Sequence, residues 1–91
     1  MNYIVRFSNE AEKVVRKYKK SNPMAYKKLS KLLTEIAKHP RVGTGHPKPL
    51  VSGNDIAYSR RISANNRIIY EIYDDIVVVL IVSVEGHYDD K

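Results

Sequence analysis

The feature that most constrains this chain is Ile76 to Val84, read IVVVLIVSV, an apolar run with no polar alternation. A strand exposed on one face alternates polar and apolar side chains, whereas one covered on both faces does not. The run therefore predicts a strand inside a sheet, covered on one side by helices and at least partly on the other. At nine residues it is too short to span a bilayer. The N-terminal MNYIVRF has no apolar run of signal-peptide length. The expectation is a cytoplasmic protein with no membrane association.

Working back from that strand, the hydrophobic period changes once. Tyr3 to Phe7 is a short strand pattern. Ser8-Asn9-Glu10 offers helix caps, with Asn9 and Glu12 at capping-box spacing. Ala11, Val14, Val15 and Tyr18 then fall on one helical face. Asn22-Pro23 restarts the chain as a cap followed by a proline at the first helical position. Tyr26, Leu29, Leu32, Leu33, Ile36 and Ala37 form a second stripe, which Pro40 ends. Two helices joined this closely make an αα-hairpin.

Residues 41–49, RVGTGHPKP, read as a loop. Beyond it the period is two. Ile56 to Ser63 is a strand, Ser63 to Asn66 a turn, Arg67 to Tyr73 a strand and Asp74-Asp75 a tight turn, with an extra short strand expected near Leu50-Val51-Ser52. This order predicts a single α+β domain over residues 1–91: an N-terminal strand and an αα-hairpin packed on a mainly antiparallel sheet of four or five strands.

Charge divides the chain. The net charge is +6, but residues 1–50 hold 12 Lys and Arg against 3 Asp and Glu, while residues 51–91 hold 4 against 7. A basic half suggests a polyanionic partner, nucleic acid or an acidic protein. With no cysteine there is no disulfide framework and no thiolate site. His39, His46 and His87 share no metal-ligand spacing. No G-x-S-x-G elbow is present, and Gly43-Thr44-Gly45 lacks the lysine and helix of a phosphate loop.

Two features can carry chemistry. The first is a set of arginines, Arg60, Arg61 and Arg67. Successive strand residues face opposite ways, so Arg60 and Arg61 cannot share a face. Arg67 opens a strand, where a forked guanidinium can reach a phosphate. The second is His87-Tyr88 at the end of the apolar strand. Histidine exchanges protons near neutral pH, and tyrosine can stack on a base.

In order, GTGHPKPL, YSRRIS, NNRIIY and the terminal HY resemble the Txe/YoeB branch of the RelE-type bacterial toxins. That branch carries G-x-G-x-P-E-P-L, S-R-R-I, R-x-[VI]-Y and a C-terminal H-Y. The resemblance covers the second half of the chain by motif and the first half by pattern only. It implies a RelE-like fold and an endoribonuclease toxin that cuts messenger RNA in the ribosomal A site. The implied reaction needs no metal or other cofactor: the ribose 2′-hydroxyl attacks the adjacent phosphate, leaving a 2′,3′-cyclic phosphate and a free 5′-hydroxyl. It also implies a hetero-oligomer with an acidic antitoxin of the YefM, Axe or Phd kind.

By the same resemblance His87 is the general acid, Arg67 stabilises the developing charge, and Tyr88 positions or stacks on the substrate. Arg60, Arg61 and His46 contact RNA. The family glutamate expected as general base is replaced by Lys48. Three routes stay open: a lysine base made neutral by burial beside Arg67, a base supplied by His46 or Glu85, or a protein that binds without cutting.

Overall fold

The computed structural model describes residues 2–50, 56–64 and 66–86. Its elements run β1 (Ile4–Phe7), α1 (Asn9–Ser21), α2 (Pro23–Lys38), β2 (Lys48–Pro49), β3 (Ala57–Arg61), β4 (Asn66–Tyr73) and β5 (Val78–Gly86). The expected α+β architecture holds, with an αα-hairpin against one face of a five-stranded sheet of order β1-β5-β4-β3-β2. β1 pairs with β5 in parallel, and the other pairings are antiparallel.

The apolar C-terminal strand is interior, as its composition requires, although β4 and not β5 holds the middle of the sheet. The strand begins at Val78, two residues later than expected. Residues 74–77 form the turn, with Val77 at φ 55° and Ile76 exposed. The short strand expected near residues 50–52 is Lys48–Pro49. Leu50 extends it by donating its N–H to the Ala57 carbonyl, and Val51 and Ser52 lie outside the described residues.

Of the caps expected at Ser8-Asn9-Glu10, Ser8 is the one used, in place of the Asn9–Glu12 capping box. Its hydroxyl oxygen caps α1, accepting from the Ala11 N–H at 3.0 Å. Ser8 wins because it has a second task. Its N–H donates to the Ile81 carbonyl at 2.9 Å, and its hydroxyl donates to the Val82 carbonyl at 2.6 Å. Val82 is the extra residue of a bulge, since Ile69 pairs with Ser83 while Tyr70 pairs with Ile81. A bulge inserts one residue into one strand and resets the side-chain alternation beyond it. Val79, Ile81 and Val84 consequently all face the helices.

The core joins Ala11 of α1 and Leu29, Leu32 and Ile36 of α2 to Ile68, Tyr70 and Ile72 of β4 and to those three residues of β5. Each fully buried aliphatic side chain contributes roughly 1.5–3 kcal/mol of transfer free energy. Packing the helices on this face leaves the other face of the sheet to hold the site.

A candidate active site on the open face of the sheet

Cross-strand register decides which side chains share the open face, because directly paired residues of an antiparallel ladder project to the same side. Tyr58 pairs with Tyr70 and Arg60 with Ile68, which assigns Tyr58 and Arg60 to the helix side. Lys48 pairs with Ser59, Ser59 with Ile69, and Ile69 with Ser83, forming one row across the opposite face. Arg61 pairs with Arg67, forming the next row. Lys48, Arg61 and Arg67 are all exposed. Three strands thus bring three cationic residues to one end of one face. A guanidinium pair offers a phosphate several forked donors.

Arg61 also borders a cleft of about 420 Å³ between α2 and the end of β3, lined further by Lys28, Lys31, Leu32, Glu35, Thr44 and Ile62. His46 is exposed and adopts a left-handed backbone conformation, φ 53°, two residues before Lys48. His87 and Tyr88 lie outside the described residues, directly after the end of β5 in the sequence.

One expectation is corrected. Arg60 does not face RNA: it is 1% exposed, among the largest buried side chains. An unpaired guanidinium could not be buried at acceptable cost, and this one is surrounded by acceptors. It donates to Glu35 Oε1 at 2.6 Å, to the carbonyls of His39 at 2.7 Å, Val42 at 2.9 Å and Thr44 at 3.4 Å, and to the Tyr70 hydroxyl at 3.3 Å. Lys48 lies on a two-residue edge strand and is exposed.

Sequence reasoning missed Glu35 and Tyr70. Thr44 donates to Glu35 from its N–H at 2.7 Å and from its hydroxyl at 3.1 Å. The Thr44 N–H bond, helped by its hydroxyl and by Arg60, holds the Glu35 carboxyl below the ordinary carboxylate range. Burial pushes the Tyr70 hydroxyl up, and it donates to the Pro40 carbonyl at 2.6 Å. A signal for Glu35 was present: it is the one acid in α2, among Lys27, Lys28, Lys31 and Lys38.

Comparison with known proteins places this geometry. Residues 7–88 match the model of the YoeB-like toxin of bacterial type II toxin–antitoxin systems. This chain belongs to that family. A toxin YoeB of Streptomyces coelicolor is 36% identical over 62 residues, 68% of this chain and 71% of that one. The YoeB–YefM heterotetramer of Staphylococcus aureus contains a chain 28% identical to this one, with a TM-score of 0.80 and coverage of 97% of this chain and 100% of that chain. The isolated RelE toxin of E. coli is 27% identical, with a TM-score of 0.77 and coverage of 98% and 88% respectively. The sheet order and αα-hairpin of this YoeB-like toxin are therefore those of the RelE fold, and the motif-bearing strands β3 and β4 are the ones that carry Arg61 and Arg67.

Proposed function

We propose that this toxin is a ribosome-dependent mRNA endoribonuclease, with residues 1–91 acting as a single RelE-like domain that blocks translation by cutting the message. The observation that carries the reading is the pairing of Arg61 with Arg67 on the open face, with Lys48 on the neighbouring row. Two arginines opposed across a ladder can offer one phosphate two sets of forked donors. The same cations then stabilise the charge that builds on the crowded phosphate as the 2′-oxygen attacks.

In this reading Arg67 and Arg61 grip the scissile phosphate, and Lys48 adds a third cation. The base that takes the 2′-proton is His46 or Glu85. His87 protonates the leaving 5′-oxygen, and Tyr88 stacks on a base beside the cut. Support for an antitoxin partner comes from the YoeB–YefM complex among the similar structures and from the basic half of this chain. The partner would be an acidic, YefM-like antitoxin forming a hetero-oligomer that covers the arginines. No helix among the described residues is long and apolar enough to cross a membrane. A ribosome-dependent cut in messenger RNA would be a cytoplasmic activity.

Lys48 favours a second reading, a binding relative that cuts nothing, because it stands where the family's base is expected. Mapping mRNA 5′ ends after induction without antitoxin separates the two. The nuclease creates new ends inside coding sequence, and Arg67→Ala or His87→Ala removes them. Growth arrest with no new ends establishes the binding relative instead.

A further inference from the structure

Arg60 makes five side-chain hydrogen bonds, and it faces away from the cationic site. Its bonds reach three backbone carbonyls of residues 39–44, the Glu35 carboxylate and the Tyr70 hydroxyl. His39 is the C-cap of α2, where exposed carbonyls favour a cation. Val42 and Thr44 lie on a stretch without a ladder partner, and the guanidinium donates to both carbonyls.

The two loop glycines are fitted to this arrangement. At Gly43, φ 125°, an added Cβ would sit 2.5 Å from Glu35 Oε1 and 3.2 Å from Arg60 Nη1. At Gly45, φ 87°, it would sit 2.4 Å from the Arg61 carbonyl oxygen. Both positions favour glycine by conformation and by contact. From Gly45 the chain continues directly into the site. The Gly45 carbonyl accepts from the Arg61 N–H at 2.8 Å, His46 follows, and Lys48 enters the sheet opposite Ser59.

We propose that Arg60 and Glu35 form an internal latch that positions His46, Lys48 and Arg61 on the open face, without touching substrate. One strand uses consecutive arginines for two tasks: Arg60 points inward and holds the 39–46 loop, and Arg61 points outward toward the ligand. The G-T-G segment is the hasp of this latch. It wraps the Arg60–Glu35 ion pair, and the Thr44 N–H and hydroxyl lock the carboxylate. The kinetic consequence rests on the nuclease reading; the ordering of the loop does not.

The test compares wild type with Arg60→Lys, Glu35→Gln and a core control, Ile81→Val, which trims a buried side chain on β5, outside the loop and α2. Two quantities are measured on the full chain: amide hydrogen exchange at residues 42–48, and single-turnover cleavage on mRNA-programmed ribosomes at varied toxin concentration. Arg60→Lys keeps the charge but loses the fork. It is expected to speed exchange at these amides about tenfold, because the loop opens locally. Its maximal cleavage rate should fall about ten- to a hundredfold while the half-saturating concentration stays within about threefold, as misplacement of site groups costs turnover more than binding. Glu35→Gln should move both quantities in the same direction by less, and Ile81→Val should move neither. If Arg60→Lys does not fold, Glu35→Gln decides. Unchanged exchange and rate in folded latch variants would overturn the proposal. A raised half-saturating concentration at unchanged maximal rate would overturn it too, by showing that Arg60 touches RNA. A wild type that cuts nothing removes the nuclease reading alone, and the exchange measurement still judges the latch.

Discussion

Arg61 lies directly opposite Arg67 across the β3–β4 ladder, and both side chains are exposed on the face that the helices leave uncovered. Directly opposed residues have Cβ atoms roughly 5 Å apart, close enough for both guanidinium groups to reach one phosphate.

Removing either arginine should therefore cost catalysis without costing the fold. Arg61→Ala and Arg67→Ala are each expected to lower single-turnover cleavage by about a hundredfold, a typical loss for one transition-state donor. Both should leave the melting temperature within a few degrees of wild type, because exposed surface substitutions are usually worth less than about 0.5 kcal/mol. Full activity in both variants would show that the phosphate binds elsewhere.

The identity of the base should appear in the pH–rate profile. If His46 accepts the 2′-proton, His46→Ala abolishes the rising limb of the profile. If Glu85 does so, Glu85→Gln removes that limb instead. A profile unchanged by both substitutions rules out both groups.

Acid should weaken the loop anchors in a defined direction. The Thr44 amide first, then its hydroxyl and Arg60, lower the Glu35 pKa; Arg41 and then Tyr3 lower that of Asp74. A carboxylate with a depressed folded pKa stabilises the fold above its unfolded value, about 4 for these side chains. That contribution is lost as pH falls through the folded value. Melting temperature is thus expected to drop below about pH 4, and Glu35→Gln and Asp74→Asn should each flatten the drop. An acid limb of the same steepness in both variants would assign the effect to other groups.

Ser8 should matter more than an ordinary cap. It accepts from Ala11 and donates to the Val82 carbonyl at the bulge, so Ser8→Ala removes two bonds at once. Loss of a cap alone costs about 1 kcal/mol. An unsatisfied bulge carbonyl adds about 1 kcal/mol or more, a sum readable as a shift in the denaturant midpoint at constant slope. A change below about 0.5 kcal/mol would show that water replaces the hydroxyl at no cost.

Antitoxin binding should respond to salt. If an acidic partner covers the cationic face, its affinity should fall steeply between about 50 and 200 mM salt, because exposed charges are screened beyond about 8–10 Å. Titration calorimetry across that range checks this. An affinity indifferent to salt would point to an apolar interface.

Much of this molecule was legible in short stretches of chain. The apolar periods of α1 and α2, the Asn22-Pro23 restart, the interior character of β5 and the opposed directions of Arg60 and Arg61 are local properties, governed by 3.6- and 2-residue repeats and by capping chemistry. What a repeat cannot encode is which of two adjacent arginines turns inward. That depended on Glu35, 25 residues away, and on loop carbonyls at His39, Val42 and Thr44 whose hydrogen-bonding capacity only closure of the loop reveals. The bulge at Val82 and the choice of Ser8 as cap are likewise set across 74 residues of chain. Sequence alone placed Arg60 and Arg61 on one strand and Arg67 at the start of the next, and read Lys48 as part of a loop. Register, which follows from long-range pairing and burial together, decided that Arg61, Arg67 and Lys48 share a face and that Arg60 works behind it.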